Sequence, residues 1–249
     1  MSREGILRLV VIGAAVLALE AACRTGLIPA TTVIPPSDMA ISLLRILRDG
    51  GFDADILRSL AEVAASALLA IGLGFVIGLG VHAWRDLRGA LEPLLASYYA
   101  VPTFMLYPVF IILFGVGSGA IIAISVLLAV VAMITATLNA MDRLPDVLRR
   151  TARLFHMGPV ATAWSVILPA ALPDLFVGVK LAVAYAFVGV IASEFILSGA
   201  GLGYAIAYAY NNFNNRTMYA LMLLIVIIVT AVNSGLNAVN RRFQARLRR

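Results

Sequence analysis

The chain has 249 residues, of which 62% are hydrophobic and 13% charged, and its mean hydropathy is +0.98. A soluble domain carries about a quarter charged residues to cover its surface, so this composition excludes a water-soluble globule. The single cysteine, Cys23, excludes an intramolecular disulfide and a cysteine-based metal site. Apolar runs of about 18 residues or more point to an all-α integral membrane protein rather than a barrel.

Six spans are predicted, at about Ile6–Cys23, Leu60–Ala83, Leu91–Leu113, Ala120–Leu138, Leu175–Leu197 and Met218–Leu236. Arg3 followed by the apolar run Ile6–Leu19 resembles a signal peptide, but further spans follow, so an uncleaved first transmembrane helix is expected. Glu20 stands where a lipoprotein cleavage site before Cys23 requires an apolar residue. Between the first two spans lies a semi-polar stretch with Pro29 and Pro35-Pro36, then an amphipathic run, Met39–Leu47. In the second span Gly74 and Gly78 lie four apart on one face and predict close helix packing.

Charge asymmetry sets the expected orientation. With both termini cytoplasmic, thirteen of the 19 basic residues fall on inner segments, among them Arg85, Arg88, Arg143, Arg153, Arg241 and Arg242. The first outer segment balances its arginines with Asp38, Asp49, Asp53 and Asp55. Topology therefore explains the net charge of +6 and the arginine-rich tail without nucleic-acid binding. Lys180 is expected to reach the inner interface, Glu62 to meet water at the outer edge of span two, and Glu194 to cap the glycine-rich outer loop.

That outer loop contains Gly199, Gly201 and Gly203, then Tyr204, Tyr208 and Tyr210, then Asn211 and Asn212. Two readings stand. It is an aromatic belt at the membrane interface, or an outer gate and contact surface for an extracytoplasmic partner, with Gly201, Gly203, Tyr204, Tyr208, Asn211 and Asn212 as its residues.

The polar interlude at about 141–173 interrupts the apolar pattern. Leu144, Val147, Leu148, Thr151, Ala152 and Phe155 recur at helical spacing, with Arg149, Arg150 and Arg153 mostly off that stripe. This predicts an amphipathic helix from about Pro145. It is expected to end at Gly158-Pro159, glycine taking the left-handed cap and proline opening a second short helix. Leu168-Pro169 and Pro173 are expected to break the chain before span five. From the residues alone, a lipid-held surface helix and a docking helix remain equal readings.

The run Ile167–Pro173 with Val177–Ala182 resembles the inner-membrane permeases of binding-protein-dependent ABC importers, most closely the nitrate, sulfonate and taurine branch. Further matches are Glu20, Pro35-Pro36-Ser37, Gly74, Gly78, Pro102, Pro108, Phe114–Gly117, Ala192-Ser193-Glu194 and Gly201–Tyr204. The resemblance covers nearly the whole chain. It implies a single permease domain, 1–249, of the type I importer fold, with a coupling helix in the interlude. The implied coupling residues are Arg149, Arg150, Thr151, Ala152, Arg153, Phe155, His156, Gly158, Pro159, Leu168 and Pro169. Counted back from Leu168-Pro169, the family's Glu-Ala-Ala signature falls on Arg150, Thr151 and Ala152, and its glycine on His156. Only Ala152 keeps the signature, so the ATPase groove is expected to be the more acidic partner, with a divergent permease of weakened coupling as the alternative reading.

The resemblance further implies a multi-pass protein of the bacterial inner membrane. Its partners would be two copies of an ABC ATPase subunit, a periplasmic or lipid-anchored substrate-binding protein, a second permease copy as a homodimer, and membrane lipid. The solute would be a small anion such as a sulfonate, taurine or nitrate, with a thiamine precursor or other heterocycle as the alternative. The chain holds no Walker-type Gly-x-x-x-x-Gly-Lys-Ser/Thr run, so ATP and Mg are expected on the partner and no cofactor on this chain. His82 and His156 are its only histidines and no His-Glu-x-x-His motif occurs, so neither catalysis nor a metal is expected. An ion-coupled secondary transporter, the rival of a different class, requires charged relays at mid-membrane that the span centres lack.

Overall fold

The computed structural model describes residues 3–29 and 32–247, less the side chains of 3–6, 8, 9, 149 and 243–247. Its helices are α1 (Arg3–Arg24), α2 (Pro36–Asp49), α3 (Asp53–Ala83), α4 (Arg85–Ser97), α5 (Tyr107–Phe114), α6 (Ser118–Asp142), α7 (Asp146–Leu154), α8 (Pro159–Thr162), α9 (Leu168–Leu197), α10 (Leu202–Asn211) and α11 (Asn215–Leu247). Among the described residues, four helical stretches are long and apolar enough to cross a membrane: Asp53–Ala83, Ser118–Asp142, Pro159–Leu197 and Asn215–Arg242. α1, at 22 residues, has the length to cross the hydrocarbon core.

The third predicted span, Leu91–Leu113, is not one helix. Arg85–Ala100 and Thr103–Phe114 meet at 93°. Pro102 forces Val101 out of the helical region, to φ −85° and ψ 120°. The hydropathy of the run is unchanged by this bend, which is why composition read it as continuous.

The predicted break before span five is also absent. Helix runs without interruption from Pro159 to Leu197, through a π turn at Ala163–Ile167 that joins α8 to α9. The N–H of Leu168 bonds back to the carbonyl of Ala163, five residues earlier. A π turn next to Pro169, which has no N–H to donate, lets the helix continue past the missing bond. Leu168 packs, with Ile167, on a core of Met133, Met141, Ala171, Leu175 and Ala182. Leu168 and Pro169 are thus part of a packed helix, not an exposed re-entry.

The chain divides into two compact units. One comprises Met1–Arg58 with Glu194–Ile228, the other Ser59–Ser193 with Val229–Arg249.

In the second unit α6 is the central element. Ile124, Ser125, Ala129 and Thr137 are fully buried. Helices approach it where they carry glycine. A Cβ on Gly74 would stand 2.6 Å from Met133 Cβ and one on Gly78 2.7 Å from Thr137 Cβ, so the close packing the spacing predicts is made, and its partner is α6. On α9, Gly178 faces Ala136 and Met133, and Gly189 faces the backbone of Ser125. The hydroxyls of Ser125 and Thr137 donate to the carbonyls of Ile121 and Met133, so these polar residues are satisfied within their own helix. Glu62, expected at a wet edge, is 3% exposed and lies in a buried row with Ser59 and Ser66. Its i, i+3, i+7 spacing in that row turns it inward.

In the first unit two carboxylates cap helices other than their own. The first-turn N–H groups of a helix have no partner within it. α2 begins Pro35-Pro36-Ser37, and Glu20 of α1 accepts from the Ser37 N–H at 3.0 Å and its hydroxyl at 2.7 Å. Arg24 donates to the same carboxylate at 2.6 Å. α10 begins at Gly201, which has no side chain to cap with, and Glu194 accepts from the Gly203 N–H at 2.8 Å.

Candidate functional site

Asp142 and Arg143, at the end of α6, fix the start of the polar interlude. Asp142 accepts two hydrogen bonds from the Arg88 guanidinium of α4, at 2.6 and 2.5 Å, and lies 3.5 Å from His82 Nδ1 of α3. Arg143 donates to Asp174 of α9 at 3.0 Å. Two adjacent residues therefore tie the interlude to helices on both sides. The charges are visible in the sequence but their partners are not, because those lie 54 and 31 residues away.

α7 is the predicted amphipathic helix. Its stripe is only partly buried: Ala152 is buried, Leu144 and Leu148 are half-buried, and Val147, Thr151 and Phe155 are exposed. α7 packs against the π turn. Of the three signature positions, the retained Ala152 is the buried one, while Arg150 and Thr151 face outward. The side chain of Arg149 lies outside the described residues; Arg153 is exposed. Around the helix end, Leu154, Phe155, Val160 and Trp164 expose between 68% and 78% of their surface.

The left-handed residue of this turn is His156, at φ 51°, and not Gly158. The Met157 N–H bonds to Ala152 O and the His156 N–H to Arg153 O, both at 3.0 Å, which is the Schellman pattern. Gly158 is extended, at φ −65° and ψ 161°, and opens α8 ahead of Pro159. The glycine position found by counting is thus a true left-handed position, and histidine is among the few non-glycine residues that take it readily.

The outer-loop residues separate into two groups. Gly201 and Gly203 are buried. The Gly201 N–H donates to Asp55 at 2.7 Å, its φ is +100°, and a Cβ there would collide with the Glu194 carboxylate. These glycines build the loop rather than present it. Tyr208, Asn211 and Asn212 are exposed, and Tyr204 half-exposed. Tyr204, Tyr208 and Asn212 border a cavity of about 210 Å³ with Phe52, Asp55 and Thr217. Sequence reading missed Phe213, which is 91% exposed and left-handed at φ 55° between asparagines that would adopt that conformation more easily.

Three adjoining cavities follow the second unit. One of about 300 Å³ is lined by Arg88, Glu92, Tyr99, Thr135 and Asn139. One of about 260 Å³ shares Tyr99, Thr135 and Asn139 with it and adds Arg143, Asp174 and Tyr185. Tyr99 and Tyr185 stack with centroids 5.1 Å apart. The third, about 460 Å³, shares Val177 and Leu181 with the second and adds Lys180, Thr230, Asn233, Ser234 and Asn237. Lys180 donates to Asn237 Oδ1 at 3.2 Å, so it turns to α11 rather than simply to the interface. Sequence signals for this track exist: Thr135, Asn139 and Arg143 are spaced by four, and Thr230, Asn233, Ser234 and Asn237 by three and four.

An amphipathic helix carried on the loop between closely packed apolar helices, beside a polar track along them, defines a polytopic helical membrane protein. Residues 70–249 match the model of the binding-protein-dependent transport system inner membrane component, and the chain belongs to that family of ABC transporter permeases. It is similar to the taurine transport system permease protein TauC of Escherichia coli, 27% identical over 84% of this chain and 78% of that one. It is 29% identical to the nitrate import permease protein NrtB of Leptolyngbya laminosa, over 76% of this chain and 67% of that one. In structure it matches a chain of the MetNI methionine ABC transporter in an inward-facing conformation. The TM-score is 0.63 at 21% identity, over 75% of this chain and 95% of that chain, a likeness of fold.

Proposed function

We propose that this chain is the membrane subunit of a type I ABC importer of the bacterial inner membrane, crossing it six times with both termini cytoplasmic. Two copies form the pathway. Each offers α7 and the α8 turn to one of two ATPase subunits, which bind ATP and Mg; the chain itself is no enzyme. The observation that carries this reading is the apolar surface of Leu154, Phe155, Val160 and Trp164. Leu154 and Phe155 end the arginine-bearing α7, which is too polar to lie within lipid, and Val160 and Trp164 continue that surface across the turn, as a partner-facing surface requires. On the outer side, Tyr208, Asn211, Asn212 and Phe213 receive a periplasmic or lipid-anchored binding protein. The solute is a small anion such as taurine, another sulfonate or nitrate, a reading supported by the names of the relatives; a thiamine precursor or other heterocycle is the alternative. The polar track along α4, α6, α9 and α11 is the path.

Co-expression with the ATPase subunit tests this. Phe155→Asp, or Glu at Arg150 and Arg153 together, should abolish co-purification while membrane insertion is unchanged. Undiminished co-purification removes the docking role. Uptake by the chain alone, driven by an ion gradient, favours the secondary-transporter class instead.

A further inference from the structure

We infer that Lys180 is the cationic centre of an anion site in the membrane, formed with Asn237, Ser234 and Thr230. The inference rests on the importer reading only for the identity of the solute as cargo. A lysine within an apolar span is costly to keep there, and such residues mark ion and substrate pathways. Asn237 accepts from one of the three ammonium hydrogens, which leaves donors for another acceptor. Because the Asn237 oxygen is turned to Lys180, its amide NH₂ is directed elsewhere as a donor. The hydroxyls of Ser234 and Thr230 border the same cavity.

The decisive feature is the charge balance. Among the described residues the lining holds one cation and no carboxylate. In the neighbouring cavity Arg143 is already paired with Asp174 at 3.0 Å, so that cation has its counter-ion from the protein. Among the described residues, Lys180 has a neutral amide as its partner, that of Asn237. An anion completes it and a cation is repelled. The volume of about 460 Å³ accepts an oxyanion head group with a short organic tail.

The test measures melting of the full-length permease in detergent against methanesulfonate, at ionic strength held constant with gluconate. Dimethyl sulfone, of the same shape without charge, serves as the neutral probe. A saturable rise in melting temperature is expected with methanesulfonate and none with the sulfone. Lys180→Gln should weaken the apparent affinity by about tenfold or more, and Lys180→Arg by less. An equal rise in Lys180→Gln, an equal rise with the sulfone, or no rise in the unaltered chain overturns the site. ATP-dependent uptake is measured separately; its absence in the unaltered complex removes the importer reading and leaves the binding result intact.

Discussion

Arg88 grips Asp142 with two nitrogens, at 2.6 and 2.5 Å, across 54 residues of sequence. This bond joins α4 to the last residue of α6, directly before the segment that carries α7. The next residue, Arg143, reaches Asp174 on α9. On the proposed function, these two bonds are the route by which displacement of α7 would reach α4 and α9 together, as a rigid-body linkage.

Breaking that grip should uncouple the machine without dismantling it. Both side chains of the pair are about a third exposed, so its contribution to stability is about 1 kcal/mol or less. Asp142→Asn and Arg88→Ala are expected to leave assembly with the ATPase intact and to lower solute moved per ATP hydrolysed. The exchange of the two, Arg88→Asp with Asp142→Arg, should recover most of the coupling. Uptake and ATP hydrolysis measured on the same proteoliposomes decide it; equal coupling ratios in all three variants would falsify the linkage.

The turn after α7 makes opposite demands on two neighbouring residues. His156 is left-handed, and a β-branched residue there costs about 1–2 kcal/mol. Gly158 is extended, with no atom within 4 Å of the place a Cβ would occupy. His156→Gly should preserve or raise the melting temperature of the purified chain and His156→Val lower it. Gly158→Ala should raise stability by about 0.4–1 kcal/mol through its effect on the unfolded chain. A destabilised Gly158→Ala would return the left-handed turn to that glycine.

Glu194 and Gly201 form one unit, because the carboxylate that caps α10 fills the space where a Cβ on residue 201 would stand. Gly201→Ala meets both that collision and an unfavourable φ of +100°, and is expected to cost more than about 1 kcal/mol. Glu194→Gln keeps the acceptor oxygen and loses charge, a loss of about 1–3 kcal/mol. Glu194→Ala removes the cap as well and should be the most damaging of the three. Gly199, with open space around it and no positive φ, is the control: Gly199→Ala should unfold with the unaltered protein. Thermal unfolding monitored by circular dichroism orders the four.

Much of this molecule follows from local chemistry. Transfer of apolar side chains and backbone out of water operates run by run, so the spans around α3, α6, α9 and α11 were legible from hydropathy alone. The 3.6-residue period exposed α7, and small-residue spacing marked Gly74 and Gly78 as a close helix crossing, while its partner, α6, came from the structure. Counting from Leu168-Pro169 placed the family's glycine at His156, but the left-handed cap was expected at Gly158, and only the backbone showed that it falls on His156. The cap expected of Glu194 on the glycine-rich outer loop falls on the Gly203 N–H, while Glu20 and Ser37, matches that looked unrelated in the sequence, prove to be a carboxylate and the helix end it caps. What the tertiary structure alone decided depends on groups distant along the chain or on cooperative backbone geometry. Hydropathy is blind to direction, so the 93° bend at Val101-Pro102 left no trace in it. A single π turn let α9 pass Pro169, where proline chemistry by itself argued for a break. Burial divided one stripe into a packed Ala152 and an exposed Phe155, because only one edge of α7 rests on its neighbour. Lys180 became a candidate binding group only when α11 brought Asn237 to it from 57 residues away.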